Sequence, residues 1–151
     1  TRAAMWRERS VRRILEVQQR VDIALFGVGS PTGEVQSQVY AGGYLDQRDE
    51  RLLRSEAVVG DVCTVLLRAD GSYADIELNK RATGPTPRML ARIPRRVCVV
   101  AGDAKVQALL AALRAGVATD LVIDEVTAES LLTLSANDAK RRAPSRRPRA
   151  H

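Results

Sequence analysis

The sequence holds a single histidine, His151 at its very end, and only two cysteines, Cys63 and Cys98. One histidine excludes both a histidine-based metal site and a serine–histidine triad, because each needs imidazoles that the chain does not carry. Each cysteine sits inside an apolar run, VCTVLL or RRVCVV, where a small buried hydrophobe is the usual role. Neither a disulfide nor a metal centre is expected, and no cofactor is implied. No stretch approaches the roughly 18 consecutive apolar residues that a membrane span requires, and no charged segment followed by an apolar one opens the chain. The reading is a cytoplasmic protein without membrane partners.

Charge of one sign is in excess, but only locally. The formal net charge is +6, and Lys140, Arg141, Arg142, Arg146, Arg147 and Arg149 crowd a closing segment that contains no acid after Asp138. Setting those six aside leaves 18 cations against 18 acids. The body is formally neutral, and the basic footprint of a nucleic-acid surface is confined to a Pro/Arg segment too polar to pack. The expected division is a domain over 1–137 and a disordered basic tail over 138–151.

At 151 residues with 45% hydrophobic residues, the chain suffices for one core that buries roughly two-thirds of the unfolded surface. Helical spacing of Val11, Ile14, Leu15 and Val17 is followed by DIALFGV, an apolar run of strand length. A glycine-punctuated stretch, Gly27 to Gly43, has neither period and reads as a long loop. Asp46 suits the cap of a short helix carrying Leu52 and Leu53. VCTVLLR and SYADIEL flank Asp70-Gly71, a two-residue hairpin signal. Thr86-Pro87 marks a helix start, ended by Pro94. The remainder alternates: strand RVCVVAG, helix from Asp103 to Ala115 closed by Gly116, strand DLVID, helix from Thr127 to about Leu134. Such alternation predicts an α/β fold with a mostly parallel sheet, flanking helices and a β-hairpin.

Ligands of open parallel sheets sit beyond the carboxyl ends of the strands. Gly27 to Ser30, Gly102 to Lys105 and Asp124-Glu125 all fall there. In VAGDAK, Gly102 ends a strand and Lys105 lies at the head of the next helix, where free N–H groups and a positive dipole end favour an anion such as phosphate. In GVGSP, Gly27 and Gly29 let backbone amides approach a ligand and Ser30 offers a hydroxyl; the pattern is not GxGxxG, so no dinucleotide fingerprint is present. Asp61 suits a sugar hydroxyl, and Arg81 suits phosphate through its planar donor fork. Each of these residues has an ordinary structural role as its alternative: a tight turn, a solvated surface charge, or, for Asp124, a helix cap at Thr127.

The ordered series SVRRILEVQQRVDIALFGVGSP, GGYLDQRDERLLRSEAVVGDVC, DGS, NKR, LARIP and VAGDAKVQALLAALRAGVATDLVIDEVTA resembles the C-terminal sugar-binding domain of SorC/DeoR-type transcription regulators, over Ser10 to about Leu134. The resemblance implies a Rossmann-like fold related to phosphosugar isomerases. It implies a sugar or sugar-phosphate effector held by Gly27, Gly29, Ser30, Asp61, Arg81, Gly102 and Lys105, no catalysis, and assembly into a dimer or tetramer. It also implies operator DNA bound through a helix-turn-helix domain that, together with a glycine-rich phosphate loop, is not found ahead of Thr1. The family commonly has a double glycine where this chain reads Gly102-Asp103. A phosphosugar isomerase or deaminase on the same fold is the alternative, with Asp61, Asp124 and Glu125 as candidate bases.

Overall fold

The computed structural model describes residues 2–142. Two helices, α1 (Arg2–Met5) and α2 (Arg9–Gln18), lead into strand β1 (Ile23–Phe26). The long loop that follows contains a one-turn helix, α3 (Gln38–Ala41), capped by Ser37. Helix α4 (Gln47–Ser55) starts at the Asp46 cap that the sequence predicts: Asp46 accepts the Asp49 N–H at 2.8 Å and Asp49 answers the Asp46 N–H, so both orphan donors of the first turn are met. Then come β2 (Val58–Val62), β3 (Val65–Arg68), a 3-10 turn Glu77–Lys80, and α5 (Pro87–Leu90) behind its Thr86 cap. Strand β4 (Arg95–Val100), a 3-10 turn Asp103–Lys105, α6 (Val106–Arg114), β5 (Asp120–Ile123) and α7 (Glu125–Arg142) complete the order.

The sheet is parallel in the order β1-β4-β5, and β2-β3 is a separate antiparallel hairpin. This is the α/β architecture that the alternating pattern predicts. Period-2 alternation turns Ala24, Phe26, Cys98, Val100, Leu121 and Ile123 into the core, where Leu109 and Ala111 of α6, and Val117 beyond its end, are fully buried. Ala108 of α6 presses on β2 at Gly60, where a Cβ would come within 2.3 Å of the Ala108 Cβ. A side chain at position 60 would therefore push the hairpin off the helix.

The hairpin differs from expectation. Its turn is Cys63-Thr64, both at positive φ (50° and 70°), so VCTVLLR is not one strand but the end of β2, the turn and β3. Asp70-Gly71 does make a turn, with Gly71 at φ 87° and its N–H on the Arg68 carbonyl. SYADIEL, however, leaves the sheet instead of pairing. The place of a third strand is taken by one side chain: Asn79 accepts the Leu66 N–H at 2.8 Å and donates to the Leu66 carbonyl at 2.9 Å, reproducing both halves of a backbone ladder.

The last helix also differs. It begins at Glu125, two residues before Thr127, because Asp124 accepts the Thr127 N–H at 3.0 Å as its cap. It continues unbroken through Asn137 to Arg142, so residues 138–142 of the expected disordered tail are helical. Arg114 reaches across to Asp138 at 2.9 Å, fixing that last stretch to α6. The rest of the expected tail, 143–151, lies outside the described residues.

Candidate functional site

Three loops meet at the carboxyl end of the parallel sheet. Gly29 leaves β1 and pairs with Asp61 of β2 as an antiparallel bridge, Gly29 N–H to Asp61 carbonyl at 2.8 Å and Asp61 N–H to Gly29 carbonyl at 3.0 Å. The approach requires glycine. A Cβ there would stand 1.9 Å from Asp61 Oδ1 and 2.6 Å from the Ser37 Cβ. The next residue, Ser30, is 1% exposed. Its hydroxyl donates to the Ala104 carbonyl at 2.8 Å and accepts the Thr32 N–H at 3.1 Å, while its own carbonyl accepts the Ser37 N–H. Ser30 therefore ties the loop after β1 to the loop after β4, one residue short of Lys105.

Asp61 is 5% exposed. Its Oδ2 accepts the Thr64 N–H at 3.2 Å, whereas Oδ1 is buried with no hydrogen-bonding partner, as is the Tyr40 hydroxyl. Burial pushes the Asp61 carboxyl above its ordinary range, opposed by the nearby Ser37 hydroxyl, the Thr64 N–H and the Lys105 ammonium. Burial, and then the Asp61 charge, push the Tyr40 phenol upward as well. A buried carboxylate oxygen with a free lone pair is an acceptor for a ligand hydroxyl, since an unmet buried acceptor is costly. The Lys105 ammonium at the head of the nine-residue α6 is suited to an anion. Asp61 and the turn that carries Lys105 thus meet at one rim, joined through the Gly29 bridge and the Ser30–Ala104 hydrogen bond.

The loop after β4 is less open than VAGDAK implies. Gly102 adopts φ 103°, but its N–H is already bonded to Thr127 Oγ1 at 2.8 Å. Asp103 turns toward α7, where its carboxylate accepts the Ser130 hydroxyl at 2.7 Å. Gly27 closes β1 against the Val99 carbonyl, 3.3 Å from where its Cβ would be.

Arg81 belongs to another neighbourhood. Its guanidinium donates to Asp49 Oδ2 at 2.6 Å and to the Tyr44 carbonyl at 2.9 Å, and holds the Asp49 carboxyl below its usual range. It lines a mostly apolar cavity of about 650 Å3 with Val39, Tyr44, Leu66 and Leu78. Thr64 lies between the two regions, lining this cavity while its N–H serves Asp61. The structure thus assembles Gly29, Ser30, Asp61 and Lys105 and places Arg81 on the far side of Thr64.

Ser37, Tyr40 and Thr64 escaped sequence reasoning. Ser37 and Tyr40 sit in the aperiodic stretch before Gly42, where the available signal was a serine able to cap a short helix. Thr64 hid inside an apolar run.

The model of the family described as "Putative sugar-binding domain" matches residues 1–133. The chain is 31% identical over 130 residues to the transcriptional regulator LsrR of an Enterobacter species, and 32% identical over 126 residues to the deoxyribonucleoside regulator of Bacillus subtilis. These alignments cover 85% and 83% of the chain but 40% and 39% of the relatives. Among solved structures, a domain of a possible sugar-binding transcriptional regulator from Arthrobacter aurescens is 51% identical, with a TM-score of 0.76 over 86% of this chain and 49% of that one. A DeoR family transcriptional regulator from Listeria monocytogenes, 33% identical, gives the same score over 86% of this chain and 52% of its own.

Proposed function

This chain belongs to the sugar-binding domain family of SorC/DeoR-type transcriptional regulators, and on that premise we propose that it forms part of the effector sensor of such a regulator. The effector is a sugar or sugar phosphate. The observation that carries the reading is the single rim on which Asp61, buried with one unbonded oxygen, and the turn bearing Lys105 are joined through the Gly29 bridge and the Ser30–Ala104 hydrogen bond: the first suits a hydroxyl and the second a phosphate. Binding there biases an equilibrium between states of the complete cytoplasmic regulator that differ in affinity for operator DNA. Subunit arrangement in a homo-oligomer is the natural carrier of that bias.

The role is sensing without catalysis. Asp124, one of the carboxylates able to serve as a base, is committed to Thr127 through both its N–H and its hydroxyl. Backbone atoms of Gly29 and Gly102 are likewise engaged by Asp61 and Thr127, so contact with the ligand falls to side chains, Asp61 and Lys105 foremost, with Ser30 holding their loops together. Arg81 acts one step removed, by positioning α4 and the cavity wall.

The test incubates the protein with a panel of sugar phosphates and records thermal shift and product together. Stabilisation without product supports the sensor. Turnover would support the isomerase or deaminase alternative.

A further inference from the structure

Without its six closing cations the chain is formally neutral, yet the fold separates the charges. Asp61, Asp103, Asp124 and Glu125 lie toward the carboxyl ends of the strands, with Lys105 among them. Cations gather at the opposite pole, where the strands β1, β4 and β5 begin and the helices that return between them end. A run of contacts joins them. The Arg95 N–H donates to the Asp22 carbonyl at 3.0 Å, two residues from Arg20, and the Arg95 guanidinium pairs with Asp120 at 3.1 Å. Arg96 donates through Nε to the Val117 carbonyl at 3.1 Å and through Nη1 to the Ile93 carbonyl at 2.6 Å, beside Arg92. Arg114 closes α6 and pairs with Asp138 at 2.9 Å, so the last turn of α7 brings Lys140 and Arg141 to the same pole.

The acids of this pole do not neutralise it. Asp120 and Asp138 are taken by Arg95 and Arg114, Asp70 accepts the Ser72 N–H at 2.9 Å, and Asp22 stands exposed. Arg20, Arg92, Lys140 and Arg141 are exposed as well and form no ion pair among the described residues. A helix dipole favours cations in the last turn, which accounts for Lys140 and Arg141 taken singly. It does not account for Arg20 and Arg92, which stand in turns, nor for Arg142, Arg146, Arg147 and Arg149, which follow in the sequence without an acid.

We infer that this pole is a second binding surface, which takes the phosphate backbone of duplex DNA without regard to sequence. The choice of DNA as the polyanion rests on the regulator reading, since the curated relatives are transcriptional regulators and work beside DNA. Arginine suits the task, because its planar fork of donors matches phosphate oxygens. Single-stranded nucleic acid asks for aromatic stacking in addition, and the exposed aromatic among the described residues, Tyr44, lies beside Arg81 at the apolar cavity. Phosphate contacts of this kind hold and orient a protein on the duplex and leave base recognition to other parts. The effector rim lies at the other end of the strands, so a sugar phosphate and DNA can be bound at once.

The test titrates the 151-residue chain into a fluorescein-labelled duplex of arbitrary sequence and follows anisotropy as salt rises. Affinity is expected to fall about a hundredfold between about 50 and 200 mM salt, the dependence of roughly four neutralised phosphates. The pair Arg20→Glu with Arg92→Glu and the pair Lys140→Glu with Arg141→Glu should each weaken binding about tenfold and flatten the salt slope. Arg48→Glu with Arg51→Glu makes the same charge change on exposed residues of α4 and should alter affinity less than about twofold. Circular dichroism checks that each variant is folded. Absence of salt-dependent binding by the unsubstituted chain overturns the inference without any variant. Equal loss from the α4 pair overturns it in favour of net charge, and loss confined to Lys140→Glu with Arg141→Glu overturns the joint pole. Tighter capture by phosphatidylserine vesicles or single-stranded RNA than by the duplex assigns the surface to another partner. A sugar-phosphate thermal shift on the same samples reports the rim alone, so failure of the effector reading and failure of the pole are distinguishable.

Discussion

The Ser30 hydroxyl donates to the carbonyl of Ala104 at 2.8 Å, across 74 residues of sequence. That one hydrogen bond joins the loop leaving β1 to the turn that delivers Lys105, and it makes two strand ends into one rim. Ser30→Ala keeps the volume and removes the tie. The expected loss is modest in stability, about 0.5–1.5 kcal/mol in a urea titration, with a clear weakening of sugar-phosphate binding in calorimetry because the turn that carries Lys105 is no longer tied to the loop after β1.

Gly29→Ala introduces a Cβ at 1.9 Å from Asp61 Oδ1 and 2.6 Å from the Ser37 Cβ. Both neighbours are pinned, Ser37 by Ser30 and Asp61 by the bridge itself, so the backbone must yield. A cost of about 1–3 kcal/mol is expected from overpacking, read as a lowered urea midpoint with unchanged slope.

Asp61 should leave a signature in the pH dependence of stability. Its carboxyl is raised above the ordinary value of 3.8 by burial, so between that value and the folded one the native state holds a proton that the unfolded chain has released. Stability contributed by the neutral form is complete below 3.8 and is lost as pH rises through the folded value. Asp61→Asn lacks that titration. Melting temperatures across an acidic pH series should therefore show the wild type gaining on the variant as pH falls; parallel curves would contradict the assignment.

Lys105 and Arg81 should separate cleanly. Lys105→Ala removes the anion-binding charge and is expected to cost ~1.5–3 kcal/mol of binding, roughly ten- to a hundredfold in Kd, with little change in melting temperature. Arg81→Ala frees Asp49 and the Tyr44 carbonyl. It should lower the melting temperature at neutral pH while changing sugar-phosphate affinity less. Calorimetry and thermal denaturation on both variants decide this.

Much of the parallel sheet was legible because its signals are local. DIALF, RVCVV and DLVI are apolar runs of strand length, and Asp46, Thr86-Pro87 and Gly116 punctuate as their chemistry dictates. What escaped depends on contacts distant in sequence. Cys63-Thr64 is a poor turn by composition, and it holds because Asp61 accepts the Thr64 N–H and Asn79 closes the outer edge of β3. Asp70-Gly71 carried the stronger turn signal yet begins no third strand, since the Asn79 amide already occupies that edge. At the rim, Gly29, Ser30 and Lys105 were placed by strand-end position, whereas Asp61 stood out by residue type alone and its place there comes from the bridge to Gly29. The engagement of Gly102 by Thr127 was not, because it joins a glycine to a hydroxyl 25 residues later.

The most direct measurement is a two-dimensional amide NMR titration of the protein with sugar phosphates, inorganic phosphate serving as the control anion. The account predicts shifts concentrated at Gly29–Ser30, Asp61–Thr64 and Gly102–Val106, larger with a sugar phosphate than with phosphate alone and abolished together in Asp61→Asn and Lys105→Ala. Shifts centred on the cavity beside Arg81, or the same pattern persisting in both variants, would contradict it.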